Sequence, residues 1–351
     1  MIDTDQKLAA FLPALQKADW IAIDTEADSL HAYPEKLCLI QVSMERCDEL
    51  VDPLSPQIDL KPLLQELHEH ELILHGADYD LRLMRKNLNF VPKAIFDTML
   101  ASRLLGCREF GLNNLVSKYL GVHLEKGPQK ANWAQRPLTP RMESYARNDT
   151  RYLKKLSDML REELQEKGRL SWHQEMCTSL IEDCAQIRSS DPEVVWRVKG
   201  SHRLDQRGLA VLREIWLWRE TEAVGRNKPP YFILPPETMV DLSEAAASAS
   251  SVRDILPRHL SPHRREGILK AIQTGLESQS PPQIRRSVPY RQSESEKRRM
   301  LELERRRDQR ADTHGIDPTL IASRAMLVML AKDWQGHQQE LMNWQRELLT
   351  E

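Results

Sequence analysis

Four acids and a tyrosine in this chain are spaced so that they could work on one substrate: Asp24, Glu26, Asp80, Asp149 and Tyr145. Asp24 and Glu26 end the run Trp20-Ile21-Ala22-Ile23-Asp24-Thr25-Glu26. A short apolar run of this kind reads as a buried strand. Side chains alternate along a strand, so the two acids point the same way. Held close at the end of a buried strand, they repel each other and lose hydration. A divalent cation held by oxygen ligands would relieve both costs. The other reading is two solvated acids just past the strand end. With 52 acids in 351 residues, roughly eight acid-x-acid pairs arise by chance, so the pair alone decides nothing. Asp80 falls in the first turn of a helix, where the helix dipole alone favours an acid. Tyr145 and Asp149 are one helical turn apart and share a face. Singly they read as a core aromatic and a solvated acid.

The elements that must position these groups can be read from periodicity. Residues 3–17 form a short amphipathic helix. The Asp24 strand is followed by apolar strands at 37–43 and 48–51, close enough in sequence for an antiparallel meander. A helix over about 58–69 precedes a buried strand, Leu72 to His75, and Gly76-Ala77 turns into a helix over 78–88. A further helix begins near Phe96-Asp97, with Asp97 suited to its N-terminus. Another covers 112–120 and is stopped by Gly121. Thr139-Pro140 opens the helix that holds Tyr145 and Asp149, which is expected to continue to about 166. Strands first, then interleaved helices, give a mixed α/β domain over 1–190. No strand is expected beyond it. Helices at 203–225, 235–249, 250–256 and 262–277 make an all-helical unit over 198–278. A Ser-, Pro-, Gln- and Arg-rich linker over 278–295 leads into a last helical domain placed at 284–351.

Bulk properties narrow the class. Fifty-two acids against 50 basic residues leave a net charge of −2, which by itself does not suggest a nucleic-acid binder. A carboxylate cluster that holds metal adds acids, however, and can mask local basic surfaces. Five cysteines with no C-x-x-C spacing argue for a reducing compartment and against disulfides or structural zinc. The start of the chain lacks a basic region before an apolar core, and no apolar run reaches membrane-spanning length. The expectation is a cytoplasmic protein without a membrane partner, and no obligate protein partner is evident.

Order, spacing and element type together resemble the DEDD 3′–5′ exonuclease superfamily, in its ribonuclease D branch. Asp24-Thr25-Glu26, followed by Tyr33-Pro34 and Leu37 to Gln41, resembles the first motif. His75-Gly76-Ala77-Asp78-Tyr79-Asp80-Leu81 resembles the second; the acid directly before Leu, Asp80, fits the pattern better than Asp78. Tyr145-Ala146-Arg147-Asn148-Asp149 resembles the third in its tyrosine form, since Ser144 stands where the sister subclass has His. Phe96 to Thr98 and Trp133 to Leu138 resemble the segments between motifs. The resemblance covers roughly 1–175 and implies a ribonuclease-H-like fold. Leu209, Leu212, Trp218-Arg219, Ala223 and Asn227-Lys228-Pro229 resemble the HRDC domain, a helical module that this family shares with certain helicases. The tail, around Arg305 to Arg310 and Gly315 to Pro318, resembles a degenerate second copy; an unrelated helical hairpin fits nearly as well.

The resemblance implies hydrolysis of RNA from a free 3′ end, with tRNA precursors and other small structured RNAs as substrates. It implies two divalent ions, Mg²⁺ or Mn²⁺, held by Asp24, Glu26, Asp80 and Asp149, with Tyr145 orienting the attacking water. Oxygen-only ligands favour those ions over zinc. A DNA exonuclease on the same domain, or a nucleic-acid binder that has lost catalysis, are the alternatives. Candidate RNA contacts are Lys126, Lys130, Trp133 and Arg136 in the aperiodic loop 124–137, where basic residues interleave with an aromatic. An ordinary solvated loop with one anchoring Trp is the simpler reading of that loop. Arg219, Arg226 and Lys228 are candidates in the helical unit. The run Lys297 to Arg310 interleaves bases with acids and reads better as a salt-bridged exposed helix.

Overall fold

The computed structural model describes residues 1–125, 127–186, 191–258, 260–279 and 291–350. The chain divides into two compact units: Met1–Ala27, Leu37–Ile187 and Tyr290–Glu351 form one, and Asp28–Lys36 with Arg188–Pro289 form the other. Among the described residues no helix is long and apolar enough to cross a membrane.

The first unit is built on a five-stranded sheet in the order β3-β2-β1-β4-β5. Its strands are β1 (Ile21–Ala27), β2 (Leu37–Met44), β3 (Cys47–Val51), β4 (Glu71–Leu74) and β5 (Ala94–Asp97). β1, β2 and β3 pair antiparallel, as the meander predicts, and β1, β4 and β5 run parallel. The sheet is therefore mixed. β1 lies at its centre because Ile21, Ala22 and Ile23 are wholly buried and tolerate neighbours on both edges. β5 departs from the sequence expectation. Its four residues carry too little pattern to separate from the helix that Asp97 caps.

Helices α1 (Asp5–Gln16), α2 (Lys61–Glu69) and α3 (Asp78–Leu88) pack their leucines into one core with β1 and β4. α4 (Thr98–Leu104) and α5 (Leu112–Leu120) follow. The helix expected to run unbroken to 166 divides at Tyr152 into α6 (Pro140–Arg151) and α7 (Leu153–Glu166). α8 (Leu170–Ala185) completes this stretch.

The remaining helices of the first unit correct the expected separate domain at 284–351. α14 (Glu294–His314), α15 (Pro318–Ile321), α16 (Arg324–Lys332), α17 (Trp334–His337) and α18 (Asn343–Thr350) share one apolar cluster with the sheet-bearing part. Met300, Leu303, Leu320, Leu327 and Trp344 pack in the same cluster as Leu104, Leu115, Leu156 and Leu160. Trp172 of α8 stacks on Trp344 with ring centroids 4.7 Å apart. The Arg169 guanidinium ties the backbone oxygens of Leu104 and His314, at 2.6 Å each. The tail helices pack on one another and join this cluster, with Trp172 and Arg169 as links to the rest of the unit. Part of the basic run along α14 is paired within that helix. Lys297 pairs with Glu294, Arg305 with Glu302, and Arg307 with Asp308.

The second unit comprises α9 (Gln206–Arg226), α10 (Pro230–Ile233), α11 (Pro236–Ala247), α12 (Val252–Ile255) and α13 (Pro262–Leu276) around Leu209, Leu212, Ile215, Val240 and Ile268. Gly275 lets α13 lie against α9; an added Cβ would stand 2.5 Å from the Val211 Cα. Segment 28–36 is anchored within this unit. The Tyr33 hydroxyl donates to Glu220 at 2.5 Å, and the Tyr33 N–H donates to Asn227 at 3.1 Å.

Candidate active site

β1 delivers Asp24 and Glu26 to the same side, as strand alternation requires. α6 delivers Asp149 and, one turn earlier, Tyr145. Thr139 caps that helix by accepting from the Met142 N–H, and Pro140 opens it. Carboxylate oxygens of Asp24, Glu26 and Asp149 lie within 4.8 Å of one another. They open, with Asp80, Tyr145, His75, Tyr79, Asn113, Asn114 and Gln129, onto a cavity of about 750 Å³.

The first turn of α3 separates the two acids of the second motif. Asp80 is buried and accepts from the Thr25 N–H (3.1 Å) and the Thr25 hydroxyl (2.5 Å), which ties α3 to β1. Asp78 is exposed and pairs with Arg82 at 2.9 Å. The turn before α3 is held by Asp97, whose carboxylate accepts from the Gly76 N–H at 3.0 Å and the Ala77 N–H at 2.8 Å. The same carboxylate caps α4 through the Met99 and Leu100 N–H groups. Gly76 takes a φ of +73° in that turn, a backbone state suited to glycine.

Electrostatically the cluster is strained. Burial, reinforced by the charges of Asp80, Asp149 and Glu26, pushes the Asp24 carboxyl well above its usual range. Burial, then Asp149 and Asp80, raises Glu26 to about 9. Burial raises Asp149 to about 7 against the lowering effect of its hydrogen bond with Tyr145. Asp80 is lifted by burial to about 6, against the Thr25 hydrogen bonds. Gln41 stands opposite Asp24 in the β1–β2 register and donates to its Oδ2 at 3.3 Å. That is meagre compensation for one acid among four. The donor set is all oxygen, crowded and desolvated, and it suits a hard divalent cation that would displace the protons these groups retain.

Burial and the neighbouring Asp149 push the Tyr145 phenol above its usual pKa. It stays protonated near neutrality and cannot serve as a general base. Gln129 and Asp149 are the polar side chains beside its hydroxyl. Gly127 passes so close to the ring that an added Cβ would overlap Cδ2, at 1.5 Å. Any other residue at 127 would displace the tyrosine.

Several expected RNA contacts have other roles. Trp133 is fully buried beside Leu39, Leu50 and Met142, with its ring 6.1 Å from that of Tyr145, and cannot offer a face to a base. The Arg136 guanidinium is spent on Asp52 (2.6 and 2.7 Å) and on the carbonyls of Trp133, Gln135 and Cys38. Arg219 is 7% exposed and pairs with Glu220 at 2.8 Å. Lys130, Arg226 and Lys228 are exposed, with Arg226 paired to Glu222 at 2.7 Å. Lys126 lies outside the described residues. Sequence reasoning did not assign Gln41, Thr25, Asp97 or His75 a part in the site. For Gln41 the signal was available, since its strand was expected to pair with β1.

Residues 1–165 match the family model described as 3′–5′ exonuclease, and residues 208–255 match the HRDC domain. Ribonuclease D of Zymomonas mobilis is 37% identical over 248 residues, which is 69% of this chain and 63% of that relative. The chain thus spans less than two thirds of that relative's length. This chain is similar to ribonuclease D proteins and carries a 3′–5′ exonuclease domain followed by an HRDC domain. A ribonuclease D of Granulibacter bethesdensis aligns over 99% of the chain and 90% of its own length at 28% identity. The solved structure of Escherichia coli RNase D, described as an exoribonuclease involved in structured RNA processing, superposes with a TM-score of 0.75 at 25% identity. It covers 99% of this chain and 98% of that one.

Proposed function

We propose that this chain is a metal-dependent 3′–5′ exoribonuclease of ribonuclease D type that releases nucleoside 5′-monophosphates from tRNA precursors and other small structured RNAs. The observation that carries the reading is the convergence of Asp24, Glu26 and Asp149 within 4.8 Å, in one cavity with Asp80 and Tyr145. Asp24, Glu26 and Asp149 would hold one Mg²⁺ or Mn²⁺ ion, and Asp80 with Asp24 a second. Such ions, when bound, neutralise charge on the phosphodiester and acidify water. The chain's own residues do the rest. Strand β1 fixes two ligands on a rigid element, Thr25 fixes Asp80, and Gln41 orients Asp24. Tyr145, beside Asp149 and Gln129, presents its hydroxyl to orient the attacking water. Lys130, Arg226 and Lys228 would contact phosphates, which sets register without reading sequence.

The test is a 5′-labelled tRNA precursor beside a DNA strand of matched sequence, each with Mg²⁺, Mn²⁺ or chelator. Stepwise shortening of RNA from its 3′ end, only with metal, is expected. Preference for DNA would select the DNA exonuclease reading. Binding without shortening under every condition would leave a nucleic-acid binder.

A further inference from the structure

His75 directly follows strand β4 and lines the same cavity as the carboxylates. β4 runs parallel to β1 with Ile21 beside Leu72 and Ala22 beside Ile73. Continued, that register sets His75 level with Asp24, one strand spacing of about 4.8 Å away. The ring's protonation is fixed by what lies behind it. The Thr98 hydroxyl is wholly buried and donates its single hydrogen to the Leu74 carbonyl at 3.0 Å. The same oxygen lies 2.9 Å from His75 Nδ1. With that hydrogen on Leu74, the oxygen accepts from the ring, which places the proton on Nδ1. Burial, opposed by the charge of Asp97, holds the imidazole below its usual pKa and so neutral. Nε2 is left as a bare, uncharged acceptor, and among the described residues it meets no partner.

A bare acceptor has no use for a phosphate, whose oxygens have no hydrogen to give. It needs a donor. A terminal nucleotide whose phosphate lies on the carboxylate cluster carries its ribose next to that phosphate, and the ribose hydroxyls are its nearest donors. Resting on the function proposed above, we infer that His75 Nε2 accepts a hydrogen bond from a hydroxyl of the terminal ribose, and that Thr98 sets the tautomer that makes this possible. His75 is thus a specificity-determining residue for the sugar at the 3′ end.

The experiment is single-turnover cleavage of one RNA oligonucleotide with three terminal nucleotides: ribose, 2′-deoxyribose and 3′-deoxyribose. The wild type is compared with His75→Asn. Asparagine keeps a donor for Thr98 but has no group at the position of Nε2. The wild type should slow about threefold to tenfold on one deoxy end. His75→Asn should lose the same factor on the ribose end and show no further loss on that deoxy end. Thr98→Val, which frees the tautomer, should weaken the discrimination while leaving thermal stability close enough to wild type for assay. Retained Mn²⁺ binding by His75→Asn shows that the site is still formed. Equal wild-type rates on all three ends, or a full deoxy penalty in His75→Asn, would overturn the assignment while leaving the exonuclease reading intact. Failure of the wild type to cleave any RNA with metal would overturn both.

Discussion

Asp97 and the Asp24–Glu26–Asp149 cluster lie in the same unit, and both withdraw carboxylates from water. They are built in opposite ways. Asp97 is 1% exposed, yet the N–H groups of Gly76, Ala77, Met99 and Leu100 all point at it. The backbone supplies every donor it needs, so it caps a helix, closes a turn and needs nothing from outside. The cluster acids face one another with little beyond Gln41 and Tyr145 to help them. Burial alone does not mark a functional acid. What marks one is burial without donors, a cost that folding does not offset and a ligand can.

The contrast can be broken at either end. Asp24→Asn should lower cleavage by about a hundredfold or more, because the ligand proposed to serve both ions is lost. RNA affinity in a filter-binding assay should hardly change. Substantial residual cleavage would remove the metal role. Stability should respond in opposite directions at the two sites. Asp97→Ala should cost about 2–3 kcal/mol in urea unfolding, since a cap and charge-assisted hydrogen bonds go together. Asp24→Asn should instead raise metal-free stability by about 1 kcal/mol. If both variants destabilised alike, the distinction between donor-rich and donor-starved acids would fail.

The pH dependence sharpens the same point. The folded chain raises Asp149 to about 7 and Glu26 to about 9. Between the ordinary carboxylate range and those values, the folded state holds more protons than the unfolded one. As far as these groups are concerned, metal-free stability should therefore be greatest below about pH 4, under the ordinary carboxylate range. It should fall as pH rises through 7 and on through 9, and the loss is complete only above that. Thermal unfolding in chelator, against the same series for Glu26→Gln, reads this slope; an unchanged slope in the variant would exclude Glu26 as its source. The smallest effect is expected at Tyr145. Tyr145→Phe should keep cation affinity and lose about tenfold in rate. Full activity would show that the hydroxyl orients nothing.

The sequence is legible where chemistry is local. The alternation that puts Asp24 and Glu26 on one side, Thr139-Pro140 opening α6, and Asp97 as a cap all depend on a few neighbouring residues. What was misread depends on distant partners. Trp133 among basic residues looked like a stacking platform, but the strands of the sheet bury it completely. Arg136 looked available until Asp52, far away in sequence, claimed it. The tail looked like a domain because its helices are amphipathic, and periodicity does not say which core an apolar face will join. The tautomer of His75 depends on Thr98, on another element, and no local pattern announces it.

The central claim is that the cluster keeps its protons until a cation replaces them. Calorimetric titration of Mn²⁺ into metal-free protein at pH 7, in two buffers of different ionisation enthalpy, counts the protons released on binding. Saturable binding with net proton release is expected, with affinity that rises with pH and both features lost in Asp24→Asn. Binding without proton release, or binding that Asp24→Asn leaves untouched, would contradict the account.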